Sequence, residues 1–305
     1  MRFAEEVFKV DSVAGGIIPV GDDQCRFDAT VFERIVKQIV KEGSNGDEMA
    51  VLAEVSQNQN PKPCPTFVVS KSAIQVDGPP VLFRSYECQG FNPAMCTIWQ
   101  AARATTAAPS FFRPIFIETP APGGWFLDGG MGHNNPSELA LDEAQRIWVN
   151  VQRFCLVSIG TGKQMNVELL DPRLDSSSSP GSSSPGRFRA VLSRIPGATG
   201  VLNAVNSPRG LIHLKGIAKA CVDLCTDSEK IHRRVFARAT SPTSNLRSYH
   251  RFNVERGLDT IGLEEWRLAS RLGQFTSGYL AEGEGQAKRD ACVKSLLYPG
   301  PAECM

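Results

Sequence analysis

The sequence predicts an α/β fold, with helices covering both faces of a sheet. Three observations lead there. Short β-branched or aromatic runs alternate along the chain with stretches whose apolar residues recur at helical spacing. The run Cys155 to Ile159 (CLVSI) is apolar almost throughout, which suits a strand buried on both faces rather than one with a wet face. With 42% hydrophobic and 21% charged residues in 305, there is ample material for a core.

The elements follow in chain order. Met1 to Val10 is amphipathic, carries Glu5 and Glu6, and lacks the apolar run of a signal peptide. Asp28 is placed to cap a helix bearing Phe32, Ile35, Val36 and Ile39, with Gly43 as its stop. A polar loop from Ser56 to Pro63 precedes two strands, Thr66 to Ser70 and Val81 to Tyr86. Thr97 caps the next helix, which presents Ile98, Trp99, Ala102 and Ala108 on one face until Pro109 ends it. Phe111, Phe112 and Ile115 to Ile117 form an extended apolar stretch, and Trp125 to Leu127 a short buried strand running into Asp128-Gly129-Gly130. Pro136 suits the first turn of a helix reaching Trp148. The strand Cys155 to Ile159 ends in Gly160-Thr161-Gly162. Beyond it, Leu211 to Phe236 reads as mostly helical, Tyr249 to Val254 as a strand and Leu263 to Leu280 as a helix. Serine, proline and glycine alone cannot bury a core, so Asp175 to Gly186 reads as a disordered surface insertion. Patterning resumes on both sides of it, which leaves a single domain over residues 1–300.

Charge and cysteine content exclude several classes. Lys+Arg (33) and Asp+Glu (32) nearly cancel, so no basic balance points to nucleic acid. No run approaches the roughly 18 consecutive apolar residues of a membrane span. The 9 cysteines are scattered, without a C-x-x-C pair or a nearby histidine at ligand spacing. They read as reduced thiols of a cytoplasmic protein. Cys221 and Cys225 sit one helical turn apart, which fits shared packing better than a metal site. Neither metal nor organic cofactor is expected, and the oligomeric state is open.

Five runs in order carry a resemblance. They are Asp77-Gly78-Pro79-Pro80 with VLFRSY, then CTIWQAARATTAAPSFF from Cys96, FLDGGMGHNNP from Phe126, CLVSIGTGK from Cys155 and RFNVERGLDTIGLEEW from Arg251. Together, from about Cys64 to about Leu280, they resemble the C-terminal part of the patatin-like phospholipase domain. The resemblance implies a three-layer sheet flanked by helices and a hydrolase of lipid acyl esters in lipid metabolism. It also implies peripheral contact with membranes and a serine–aspartate dyad that needs no histidine or cofactor. It places the base at Asp128, in a D-G-[GA] motif completed by Gly129 and Gly130. A free aspartate, with a pKa of about 3.9, is a weak base for a hydroxyl, and burial raises it. Trp125, Phe126 and Leu127 are candidate walls for that burial. Gly129 and Gly130 would let the chain turn behind the carboxylate and leave room for an ester. Taken alone, Asp128-Gly129 reads rather as a turn former.

Other residues fit less well. His133 reads as a loop residue or a supporting contact, and His213, His232 and His250 stand alone. Gly160-Thr161-Gly162-Lys163 lacks the glycine and the hydroxyl residue of a phosphate loop, since Val157 and Gln164 occupy those positions. Ser158 within that run is no elbow serine, because Leu156 stands where the first glycine belongs.

No G-x-S-x-G occurs anywhere in the chain. The glycine-rich oxyanion turn is missing too; Ala14-Gly15-Gly16 is short and misplaced. Two readings stay open. In the first, the chain is part of a lipid acyl hydrolase whose nucleophile and N-terminal strands lie in an upstream segment. In the second, it is a catalytically dead relative that binds lipid or a protein partner, through aromatics such as Phe111, Phe112, Trp125 and Phe126. Nothing around Ser85 or Ser110 supports either as a substitute nucleophile.

Overall fold

The computed structural model describes residues 2–8, 25, 27–53, 63–92, 94–109, 111–118, 122–162, 228–258, 261–262 and 265–297. The insertion at 175–186, Ala14-Gly15-Gly16, His213, Cys221, Cys225 and the stretch 211–227 lie outside them.

Helix α1 (Arg2–Val7) and helix α2 (Ala29–Gly43) come first. Asp28 caps α2 as the sequence indicates: its carboxylate accepts from the backbone N–H of Thr30 at 2.8 Å. Val7, Phe27, Phe32 and Phe112 close an aromatic core between these helices, with Phe111 packed against it. Phe111 and Phe112 are therefore core residues, not exposed contact surface.

A four-stranded antiparallel sheet follows, in the order β2-β1-β4-β3. Its strands are β1 (Phe67–Ser72), β2 (Val81–Arg84), β3 (Ile115–Ile117) and β4 (Gly124–Asp128). Helix α3 (Ile98–Thr105) carries the chain from the β2 edge to the β3 edge. It begins in a capping box, Thr97 with Gln100, and stops at Thr106, short of the expected Pro109. Ala101 and Ala104 face the sheet, and having almost no side chain they let α3 lie close on Phe83, Ile115 and Ile117.

Helix α4 (Ser137–Ile147) leads to β5 (Phe154–Ile159), which pairs in parallel with β6 (Leu246–Phe252). Between them a helix spans 228–240, here α5. Leu141, Ile231, Val235 and Leu246 form the core on one face of this pair. After a 3-10 turn (Trp266–Leu268) come α6 (Ala269–Ala281) and α7 (Gly283–Leu297), and α7 packs on β5 and β6.

The chain is thus a mixed α/β protein, as expected, but its described strands form two sheets rather than one. Local periodicity marks a strand without naming its partner, and short strands such as β3 leave partner and direction to tertiary contacts. Several bounds also shift, and one helix is new. β6 starts at Leu246 rather than Tyr249, the expected helix at Leu263 opens as the turn at Trp266, and α7 was not foreseen. With its charged residues spread around the helix, α7 has no apolar stripe to announce it. No helix among the described residues is long and apolar enough to cross a membrane.

Candidate active site

Asp128 is the last residue of β4, opposite Ser70 of β1. Its backbone N–H donates to the Ala107 carbonyl at 3.1 Å, which ties the strand end to the segment after α3. Its side chain is half-buried in an open cleft of about 330 Å³, lined by Phe67, Val68, Val69 and Thr105 on one side and by Gly130 and His133 on the other. The Gly130 N–H donates to Oδ1 at 2.6 Å. Burial pushes the carboxyl up to about 6, and the Gly130 amide pulls it back only in part. At neutral pH such a group is mostly ionised yet poorly hydrated, which makes it a better base than a surface aspartate.

The apolar wall is not the one the sequence indicates. Trp125 is 48% exposed and packs at a tilt against Phe116 with ring centres 5.4 Å apart. Phe126 packs edge-on against Phe83 at 5.1 Å in the sheet core. Neither these two nor Leu127 lines the cleft; β1 supplies the wall instead, because the strand antiparallel to β4 runs beside Asp128.

The glycines also work differently. Gly129 has ordinary helical angles, φ −67° and ψ −21°, so the turn does not require it. A Cβ there would collide with the Val69 carbonyl, so its lack of a side chain lets the turn press against β1. The residue that needs left-handed freedom is Gly132, at φ +98°. A Cβ at Gly132 would lie 3.7 Å from Lys71 Cε, and the buried Lys71 donates from Nζ to the Gly78 carbonyl at 2.6 Å.

Beyond the turn, two buried polar clusters hold α4. Asn135 and Ser137 bond to each other and to β5 through Ser158. Glu143 receives two hydrogen bonds from Arg84, at 2.5 and 2.9 Å, one from Tyr86 at 2.8 Å and one from Arg146 at 2.6 Å. Arg84 holds the Glu143 carboxyl down at about 2 against the effect of burial, while burial and Glu143 push the Tyr86 phenol up. Glu143 therefore pins α4 to β2.

The remaining candidates have structural positions. The His133 N–H donates to the Gly129 carbonyl at 3.0 Å, and its ring lines the cleft. His232 Nδ1 lies 3.1 Å from the Tyr249 hydroxyl, and His250 Nε2 3.1 Å from Ser295 Oγ. Ser85 Oγ accepts from the Thr66 N–H at 3.0 Å at a strand end, a structural task, and Ser110 lies outside the described residues. Gly162 takes φ +113° and donates its N–H to Asn253 Oδ1, closing the end of β5. Among the described residues no group of three or more His, Cys, Asp and Glu side chains could hold a metal ion. Sequence reasoning missed Val69 and Thr105, whose hydroxyl donates to the Val69 carbonyl at 2.6 Å, because nothing local marks them.

No family model matches the chain. Among curated proteins it is similar to calcium-independent phospholipase A2-gamma of Mus musculus, 29% identical over 170 residues, which is 53% of this chain and 20% of that protein. The same-named protein of Homo sapiens is 28% identical over 170 residues, with the same shares covered. Phospholipase A I of Arabidopsis thaliana is 25% identical over 193 residues, 52% of this chain and 14% of that protein. The chain spans about a fifth or less of the length of these relatives.

Proposed function

We propose that this chain, a relative of phospholipases, carries the aspartate half of a serine–aspartate site for lipid acyl ester hydrolysis, with Asp128 as general base. The observation that carries the reading is Asp128 itself: a strand-end carboxylate in an open cleft, raised by burial to about 6, inside an Asp-Gly-Gly turn. In this reaction Asp128 accepts the proton of the serine hydroxyl as its oxygen attacks the acyl carbonyl, and returns it to the departing alcohol. The serine and the oxyanion donors come from sequence outside these 305 residues, since no G-x-S-x-G lies within them.

The same reading adds strands to the sheet and gives it three layers. Two features support this. Among the described residues β5 pairs only with β6, and Val157 and Ile159 on it are 40% and 80% exposed. Peripheral contact with a lipid surface is part of the proposal, and the exposed Phe116–Trp125 pair is the aromatic feature suited to it. For the alternative, a dead relative that binds lipid or a partner, Phe111, Phe112 and Phe126 drop out as contacts because they pack into cores, while the missing elbow serine and the exposed Trp125 still motivate it.

The test is Asp128→Asn in a complete protein that includes the upstream elbow. Turnover of a phospholipid ester should fall by about 10⁴-fold or more, with the fold unchanged. Turnover within a few-fold of wild type would exclude Asp128 as the base.

A further inference from the structure

Asp128 is held on one side by β1 and the segment after α3, and on the other by the turn at 129–136. The far end of that turn is clamped by Asn135, which is 2% exposed. Its Nδ2 donates to the Ser228 carbonyl at 3.1 Å, and its Oδ1 accepts from the Ser137 N–H at 3.2 Å and hydroxyl at 2.6 Å. The Ser137 hydroxyl has one proton, which it shares between Asn135 Oδ1 and Ser158 Oγ. Ser158 Oγ lies 2.7 Å from Ser137 Oγ and accepts from it. Ser158 also accepts from Arg251 Nη1 at 2.7 Å. Arg251, Ser158, Ser137 and Asn135 thus form one continuous hydrogen-bonded run, with the Tyr249 hydroxyl bonded beside it. Arg251 Nη2 also donates to Ser228 Oγ at 3.0 Å, so the guanidinium bridges β5 and the start of α5. A Cβ on Gly160 would meet Asn253 Oδ1 first and then lie 2.8 Å from Arg251 Nη2, so the bare glycine leaves room for both side chains at the end of β5.

We infer that Arg251 is a positioning residue: through Ser158, Ser137 and Asn135 it locks the turn that keeps Gly130 and His133 against the Asp128 cleft. The parallel β5–β6 pair thereby controls the setting of a carboxylate on the other sheet. This rests on Asp128 being the working group, but its readout is Asp128's own titration rather than turnover. A turnover-neutral Asp128→Asn would sink the base reading and leave this relation standing.

The experiment compares the full chain with Arg251→Lys and Ser158→Ala, following Asp128 by carbon-13 carboxyl titration and the Gly130 and His133 amides by hydrogen exchange. Lysine keeps the charge but, as a point donor on a flexible stem, cannot fork between Ser158 and Ser228. Ser158→Ala keeps the arginine and cuts the relay. In both, the two amides should exchange roughly tenfold faster or more as the turn opens. The Asp128 midpoint should move from about 6 toward the ordinary value of 3.8 as water enters. The inference is overturned if the variants fold, exchange rises only in β5 and β6, and the Asp128 midpoint stays where it was. If Arg251→Lys fails to fold, Ser158→Ala decides alone by the same two readings.

Discussion

Asp128 and Glu143 lie fifteen positions apart, flank the same turn and helix start, and are both withdrawn from water, yet they end in opposite states. Glu143 is met by Arg84, Tyr86 and Arg146 and is held near 2. Among the described residues Asp128 meets one backbone amide, from Gly130, and it is pushed to about 6. Burial acts the same way on both carboxyls; what differs is the number of charged donors that answer it. A carboxylate with matched donors becomes a fixed strut, whereas one with an apolar wall and a single amide keeps its basicity for a proton in the cleft.

The comparison can be broken at either end. The largest effect expected is at the strut. Glu143→Gln leaves Arg84 buried without its counter-charge and should cost about 3–5 kcal/mol of folding stability at neutral pH, read by denaturant unfolding. Because the native value lies below the ordinary 4.5, the stability Glu143 contributes is present above that value and disappears as pH falls toward about 2. The variant and wild type should therefore converge in acid. A variant as stable as wild type at pH 7 would show that the ion cluster is not a strut.

Next comes the turn. Gly129→Ala sets a methyl against the Val69 carbonyl and should cost about 1–3 kcal/mol, while Gly43→Ala, with open space around it, should cost little. Equal behaviour of the two would mean that the turn does not press on β1.

At the base the expected sign reverses. The native value of Asp128 is above its unfolded value of 3.8, so its ionisation costs stability as pH rises toward about 6. Asp128→Asn should then be more stable than wild type by roughly 2 kcal/mol at pH 7, with the gain absent near pH 3, as thermal melts at both pH values would show. A loss of stability at pH 7 would contradict the burial argument.

The sequence made parts of this legible and hid others for a physical reason. Asp28 and Thr97 cap helices through bonds spanning two or three residues, and such local chemistry shows in the sequence. The Asp-Gly-Gly run after a short apolar strand likewise located Asp128 at a strand end. What was not legible depends on distant partners. Arg84 reaches Glu143 across 59 positions and Arg251 reaches Ser158 across 93, and no spacing rule connects them. The cleft wall was assigned to Trp125 and Phe126 because they adjoin Asp128 in sequence, whereas the neighbour that matters is β1, brought there by antiparallel pairing. The importance of Gly129 was legible and its reason was not, since the clash belongs to another strand.

The most direct measurement is a carboxyl titration of the wild-type chain that follows Asp128 and Glu143 together. The result expected is an Asp128 midpoint at about 6 beside a Glu143 midpoint near 2. An Asp128 midpoint near 3.8 would contradict the claim that burial makes it a base, whatever the value at Glu143.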